Sequence, residues 1–123
     1  RLLPFLIKNC LQNKKFKTTN GNQYKDFCYI DDVICAIFKS FFLKNTDGQI
    51  INLGSGKPTK ILNLIILINK LIGKGKPSIG SLKYKKGMSM SSFPNLKKAK
   101  KLLKWRPKIR LMDGIKKTII SYK

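Results

Sequence analysis

A lysine and a glutamine beside a glycine turn are the residues of this chain best suited to bind an anion. Gln23 and Lys25 follow Gly21, in the segment GNQYKDFCYIDDV that runs from 21 to 33. A cation at the mouth of a turn, backed by a polar side chain, can hold phosphate oxygens through charge-assisted hydrogen bonds. The alternative for Lys25 is a solvated surface position, since the chain contains 24 lysines.

The net charge of +22 is extreme for 123 residues and, taken alone, favours a polyanionic partner. Lysine outnumbers arginine 24 to 3, and isoleucine and asparagine are also abundant, a pattern typical of A/T-rich codons. Proteins that read nucleic-acid bases commonly use arginine, whose planar guanidinium makes bidentate contacts. We therefore attribute most of the charge to codon bias and expect neither a nucleic acid nor a membrane as the partner.

Metal and disulfide chemistry are not expected. The chain has three cysteines without a C-x-x-C pair, and it has no histidine, so a zinc site of the usual kind is not predicted. Cys28 and Cys35 lie in apolar segments, where a free cysteine usually behaves as a small buried hydrophobe. This cysteine usage fits a reducing cytoplasm, which is the predicted location. The longest apolar segment, 61–72, is too short to span a bilayer.

The hydrophobic pattern predicts helices that alternate with short strands. In the first part of the chain we expect a helix at 2–11, an edge strand at 16–18, a strand at 27–30, and a helix at 33–43 capped by Asp31 or Asp32. In the middle we expect a strand at 49–53, a loop at 54–58 and a helix at 60–72 capped by Thr59. That helix is apolar on nearly every face, which predicts burial between layers.

The last third is predicted to begin with a loop at 73–80, in which Gly73 terminates the preceding helix. A short strand at 81–85, a helix at 95–105 ended by Pro107 and a final helix at 111–122 should follow. Alternating strands and helices are typical of an α/β or α+β protein, and 123 residues are too few for a complete doubly wound sheet.

Three motifs together resemble the nucleotide-sugar epimerases and dehydratases of the extended short-chain dehydrogenase/reductase family. The segment 21–33 is similar to the family's G-x-Q-x-R-D-F turn followed by F-x-Y-V and D-D-V, and INLGSG at 51–56 is similar to its N-x-G-S-G strand and loop. The ending KAKKLLKWRPKIRLMDGIKKTI, at 98–119, resembles K-x-x-x-L-G-W-x-P-x-x-x-L-x-x-G-L-x-x-T-I. The resemblance implies an α/β fold that corresponds to the C-terminal part of a Rossmann-type enzyme, with the last sheet elements and a small α/β substrate-binding lobe.

The same resemblance implies roles for individual residues. Lys25 stands where the family has an arginine that holds the diphosphate of a nucleotide sugar, with Gln23 beside it. Lys85, in Y-K-K-G-M, stands where a second arginine commonly reaches the same phosphates, although Met88 replaces the acidic residue of that motif. Phe16 and Thr18 lie in the edge segment that usually cradles the nucleobase. For Phe16, a position in the core of the lobe is an equal alternative.

Other residues in these motifs are expected to be structural. Asp26 and Asn52 match the motifs without offering an obvious reaction, and Trp105 should pack in the core. The loop at 54–56 follows a strand and precedes a helix, which is the usual setting for an anion site. Its glycines lack the spacing of a phosphate-binding loop, so we do not assign it to a nucleotide.

The chain contains neither a glycine-rich dinucleotide turn nor a Tyr-x-x-x-Lys pair. The resemblance therefore implies a single fragment, 1–123, on the substrate side of an enzyme whose catalytic residues and NAD- or NADP-binding part lie upstream. The fragment alone should bind no cofactor and have no activity. Its implied partner is a nucleotide-diphosphate sugar, and the intact enzyme should be a homodimer. Two alternatives stay open: a small basic nucleic-acid-binding domain built on the helix near 98–104, and a non-catalytic remnant of the same fold.

Overall fold

The computed structural model describes all residues, 1–123, and confirms an α/β fold in which helices alternate with short strands. The helices are α1 (Leu2–Leu11), α2 (Ile30–Phe42), α3 (Ile61–Ile72), α4 (Lys97–Leu103) and α5 (Leu111–Ser121). The strands are β1 (Lys15–Lys17), β2 (Tyr24–Lys25), β3 (Thr59–Lys60), β4 (Lys76–Ser78) and β5 (Ser91–Ser92), and a 3-10 turn at Lys44–Thr46 follows α2.

The strands form two small sheets. β1 pairs with β4 in parallel, with Phe16 opposite Pro77. β2 is the central strand of the other sheet, antiparallel to β3 and parallel to β5, so that Lys25 lies opposite both Thr59 and Ser92. The predicted loop at 73–80 thus contains β4, which its proline and glycines concealed, while the strand predicted at 81–85 is absent and β5 lies further along the chain.

The larger hydrophobic core is built around α3. Leu64 and Ile68 are fully buried and belong to the same cluster as residues of α1 and α5. The buried residues of α3 recur three or four positions apart, which defines one face. Ile66, on another face, is half exposed. The exposed positions of α3, which are Asn63, Ile66 and Lys70, form a single stripe, and its other positions are buried or partly buried. The expectation that α3 is covered on nearly every side is therefore confirmed.

The smaller core lies between α2 and α4. Ala36 of α2 packs in one cluster with Ala99 and Leu103 of α4, and Trp105 is buried beside them. The indole Nε1 of Trp105 donates to the backbone oxygen of Asp32 at 2.9 Å. The predicted packing role of Trp105 is confirmed.

Two predicted strands are not formed. In the segments 27–30 and 49–53, the backbone of Phe27 and Cys28 and that of residues 50–54 makes no backbone hydrogen bond. A strand is defined by its pairing with a neighbour, and these segments have no neighbouring strand within the chain. The helix that follows the first of them, α2, begins at Ile30, three residues earlier than predicted.

The helix ends also differ from the expectation in their capping. Asp31 and Asp32 lie inside the first turn of α2, whose N-cap is Tyr29, and neither makes a side-chain cap. Thr59 does not cap α3 either, since it is paired in β3. α4 is shorter than predicted: it ends at Leu103, and Lys104, in a left-handed conformation, follows it before Pro107 is reached. Gly73 terminates α3 in the left-handed conformation, as expected.

Candidate anion-binding site

The glycine turn before β2 is fixed by the start of α3. Gly21 has a φ of +68°, and a Cβ at this position would lie 2.5 Å from the backbone nitrogen of Leu62, so no other residue fits here. The carbonyl oxygen of Gly21 accepts a hydrogen bond from Leu62 N, and that of Gln23 accepts one from Ile61 N, each at 2.9 Å. These carbonyls replace a side-chain cap and hold the segment that carries Lys25 against the helix.

The segment that contains Lys85 packs against the same turn. The hydroxyl oxygen of Tyr84 accepts a hydrogen bond from Asn22 N at 2.9 Å, and Met90 O accepts one from Tyr24 N at 2.8 Å. A tight turn follows Tyr84, in which Met88 N donates to the carbonyl oxygen of Lys85 at 3.0 Å. The segments that carry Lys25 and Lys85, the two predicted phosphate contacts, thus pack against each other. Sequence reasoning singled out the lysines but did not anticipate the contacts through Tyr84 and Met90.

Lys25 and Lys85 are both exposed. The only ion pair in the chain joins Arg110 to Asp113 at 3.1 Å, so neither lysine has a carboxylate partner. Two cations on neighbouring segments without an internal counter-ion favour the binding of an anion from solution.

Gln23 differs from these lysines in being buried, with only 7% of its surface exposed. Its side-chain Nε2 donates to the sulfur of Met88 at 3.6 Å, which is a weak contact, and its Oε1 has no hydrogen-bond partner. Gln23 therefore lies behind the surface on which Lys25 is exposed, with one polar atom unsatisfied.

Phe16 and Thr18 lie in the interior. Phe16 is 7% exposed and belongs to the larger core, where its ring meets that of Phe5 edge to face with the centroids 5.6 Å apart. The hydroxyl of Thr18 donates to the carbonyl oxygen of Thr19, and its backbone nitrogen donates to Ser78 O. Contact with a nucleobase stays a prediction for both residues, and the structure gives Phe16 the core position that was its alternative.

The glycine loop at 54–56 is held by an internal carboxylate. Oδ1 of Asp26 accepts a hydrogen bond from Ser55 N and Oδ2 accepts one from Gly56 N, each at 2.7 Å. A Cβ at Gly54 would lie 2.4 Å from Pro94 and 2.9 Å from Oδ2 of Asp26, so the loop has no room for a side chain. Because Asp26 takes the two N–H groups that a phosphate would need, the loop does not fit a dinucleotide diphosphate. The structural role expected for Asp26 is confirmed.

Asp32 has an equivalent structural role in the smaller core. Its Oδ1 accepts from Lys108 N at 3.1 Å and its Oδ2 from Ile109 N at 2.9 Å. Asp32 therefore joins the start of α2 to the segment that leads into α5. Asp31, its neighbour, is exposed.

The three cysteines are free and occupy different environments. Cys10 is buried, and burial raises the pKa of its thiol. Cys28 is partly buried, and burial, together with the negative charges of Asp32 and Asp26, raises its pKa to about 11. Cys35 lies on the exposed side of α2, so the expectation that it would be buried is wrong.

No three residues of the metal-ligating types come together in the structure. None of its helices combines the length and the hydrophobicity that crossing a bilayer requires.

Comparisons with known proteins agree with the motifs. No family model matches the sequence. The UDP-glucuronate 4-epimerase of Thermodesulfobacterium geofontis is 40% identical over 101 residues, which are 81% of this chain and 30% of that protein. The crystal structure of UDP-glucose 4-epimerase from Thermotoga maritima with UDP-glucose superposes with a TM-score of 0.90 at 25% identity, covering 99% of this chain and 39% of that one. UDP-glucuronic acid 4-epimerase from Bacillus cereus, in complex with UDP-glucuronic acid and NAD, gives a TM-score of 0.87 at 29% identity, covering 100% of this chain and 40% of that one.

The homologues and structural neighbours of this chain are UDP-sugar epimerases and dehydratases, and with them it belongs to the extended short-chain dehydrogenase/reductase family. The resemblance read from the sequence motifs is confirmed. The chain spans about a third of the length of the curated relatives that it matches.

Proposed function

We propose that this chain binds the diphosphate of a nucleotide sugar, with Lys25 as the principal phosphate contact and Lys85 as the second. The observation that carries the proposal is the packing of the segment around Lys85 against the turn that leads to Lys25, through Tyr84 and Met90. Both lysines are exposed and lack acidic partners. Two such cations on adjacent segments are well suited to bind a diphosphate.

We also propose that residues 1–123 form the substrate-binding portion of a longer NAD(P)-dependent epimerase or dehydratase in a reducing cytoplasm. Similar proteins of known structure carry UDP-glucuronic acid and NAD, as the Bacillus cereus enzyme does. The glycine loop at 54–56 does not fit the cofactor, because Asp26 already occupies its N–H groups. Residues outside 1–123 would hold NAD, and the intact enzyme would be a homodimer.

The proposal is tested by substituting Lys25 and measuring the affinity for UDP-glucose by calorimetry. We expect Lys25→Ala to raise Kd by roughly tenfold or more, because a charge-assisted contact is worth about 1.5 to 3 kcal/mol. Lys25→Arg should keep or improve the affinity, since a guanidinium can bind phosphate oxygens in a bidentate way.

Lys100→Ala is the matched control, because Lys100 is an exposed lysine on α4, away from the turn. This control should leave Kd unchanged. Equal losses from Lys25→Ala and Lys100→Ala would mean that the net charge attracts the ligand without a defined site, and a marked loss from Lys25→Arg with the fold intact would contradict the assignment of Lys25.

A further inference from the structure

Lys85 depends on its neighbours for its place beside the glycine turn, because its own side chain is exposed and forms no ion pair. Directly before it, the hydroxyl oxygen of Tyr84 accepts a hydrogen bond from Asn22 N at 2.9 Å. Directly after it, the chain turns back, and the carbonyl oxygen of Lys85 accepts from Met88 N at 3.0 Å. The second bond lies within the segment, whereas the first attaches the residue next to Lys85 to the turn that leads to Lys25.

The turn at 85–88 does not hold Lys85 by packing. Gly87 has a φ of +79°, and a Cβ at this position would meet nothing within 4 Å. Lys86 and Gly87 are exposed, as Lys85 is. A glycine in this conformation allows the chain to reverse but adds no side-chain contact. The position of Lys85 is therefore set by the attachments on either side of the turn.

Of these attachments, the hydroxyl of Tyr84 is the one adjacent to Lys85. On the other side of the turn, the sulfur of Met88 accepts from the Nε2 of Gln23 at 3.6 Å, which is a weak contact because a thioether is a poor acceptor. The stronger bond on that side, from Tyr24 N to Met90 O at 2.8 Å, lies five residues beyond Lys85. Tyr84 itself is partly buried, so its ring is held while its hydroxyl reaches the glycine turn.

We infer, on the basis of the proposed function, that Tyr84 is a positioning residue whose hydroxyl holds Lys85 where both lysines can contact the phosphates of one ligand. Tyr84 acts through Lys85 and needs no contact of its own with the ligand. A cation on a segment that is already held loses less conformational freedom upon binding than a cation on a loose one. The contribution of Lys85 to the affinity therefore depends on the hydroxyl of Tyr84.

A double-mutant cycle on the 123-residue chain tests this role, with UDP-glucose as the ligand and Kd measured by calorimetry. Tyr84→Phe removes the hydroxyl and keeps the ring, Lys85→Ala removes the cation, and a third variant combines both. We expect Lys85→Ala to raise Kd by roughly tenfold and Tyr84→Phe to raise it by about three- to tenfold. In the chain that already carries Lys85→Ala, Tyr84→Phe should change Kd by less than about twofold, because the cation that it positions is gone.

Tyr122→Phe is the matched control, because it removes the same hydroxyl from a residue at the end of α5, outside the two segments of the site. It should leave Kd unchanged with and without Lys85→Ala. An equal rise from Tyr84→Phe in both backgrounds would show that Tyr84 acts independently of Lys85 and would overturn the inference, as would an unchanged Kd in Tyr84→Phe.

The same measurements separate this inference from the proposed function. If Lys25→Ala and Lys85→Ala weaken binding and Tyr84→Phe is not coupled to Lys85, the proposed function stands and only the role of Tyr84 fails. A loss from Lys25→Ala without any loss from Lys85→Ala would keep the principal phosphate contact and overturn the role of Tyr84. Unchanged affinity in both lysine variants would refute the proposed function itself.

A second measurement requires no ligand. NMR relaxation reports backbone motion on the picosecond to nanosecond timescale through order parameters. In Tyr84→Phe the order parameters of residues 85–88 should fall below those of the unmodified chain, whereas in Tyr122→Phe they should not change. Equal order parameters in Tyr84→Phe and the unmodified chain would show that the hydroxyl does not hold this segment and would overturn the inference.

Discussion

Cys28 illustrates how neighbouring carboxylates and burial act on one residue. Burial is the larger cause of its raised pKa, and the negative charges of Asp32 and Asp26 add to it. Both carboxylates are themselves held by backbone N–H groups, so neither can move away from the thiol without breaking those contacts. The folded chain therefore keeps Cys28 protonated in conditions where the unfolded chain ionises it.

This difference predicts a loss of stability at alkaline pH. The pKa of Cys28 rises from 9.0 to about 11 on folding, so between these values the unfolded state binds fewer protons and the free energy of unfolding falls as pH rises. Below pH 9 the contribution is fully retained. We expect thermal unfolding of Cys28→Ala to depend less steeply on pH in this window than unfolding of the unmodified chain.

Cys35→Ala serves as the control for that comparison, because Cys35 is exposed. It should reproduce the pH dependence of the unmodified chain. The account of Cys28 is wrong if the three proteins lose stability in parallel between pH 9 and 11.

At the scale of the elements, α2 is anchored through Asp32. Both carboxylate oxygens accept backbone hydrogen bonds from the segment before α5, and the carbonyl oxygen of the same residue accepts from Trp105. One residue thus connects α2, the smaller core and the approach to α5. The backbone N–H groups of Lys108 and Ile109 would lose these partners if the carboxylate were removed.

We expect Asp32→Ala to lower the free energy of unfolding by about 2 to 4 kcal/mol, since hydrogen bonds to a charged group are among the stronger ones. Asp31→Ala is the matched control, because it removes the same charge from the same helical turn without removing a tertiary contact. It should cost less than about 1 kcal/mol, through the helix dipole alone. Urea unfolding of both variants checks the difference, and equal losses would assign the effect to the dipole.

Sequence periodicity predicted the helices better than the strands. α1 was predicted with its exact bounds and α5 to within one residue, because apolar residues recurring at helical spacing are a local property. Strands depend on partners that are distant in sequence. The segments 27–30 and 49–53 have sequence patterns typical of strands but do not pair with another strand. β4 was not predicted because it contains Pro77. The predicted N-cap of α2 was wrong for a similar reason, since the carboxylate of Asp32 accepts hydrogen bonds from backbone groups that are distant in sequence.

The candidate site was partly predictable. The motif placed Lys25 and Lys85 on the list of candidates, and the structure brings their segments together. The contact between Gln23 and Met88 was not predictable, because it joins residues 65 positions apart. The departure of Met88 from the family motif was the only signal of it in the sequence.

In the molecule as a whole, α2 carries a group of exposed apolar side chains. Phe41 and Phe42 are 77% and 80% exposed, and Ile34, Ile37 and Phe38 are exposed as well. Apolar patches of this kind on a soluble domain usually mark contacts with other protein surface. The sequence pattern drew attention to α3, which this chain already covers, whereas the uncovered apolar face lies on α2.

We expect the chain to self-associate through this face of α2. The double variant Phe41→Gln and Phe42→Gln should be more monomeric in sedimentation experiments, with a thermal midpoint close to that of the unmodified chain, because both rings are largely exposed. Ile66→Gln, a half-exposed position on α3, is the control and should leave the association unchanged. Association of the double variant equal to that of the unmodified chain would exclude α2 as the contact.

NMR titration with UDP-glucose can establish whether the chain has a defined site for a nucleotide sugar. We expect the backbone amide signals of residues 21–25 and 84–92 to shift first and saturate together, because these segments would form the site between β2 and the turn that follows Tyr84. Shifts concentrated in α4, or spread evenly over the lysines of the surface, would indicate generic attraction of an anion to the charge of +22 and would mean that these segments form no defined site.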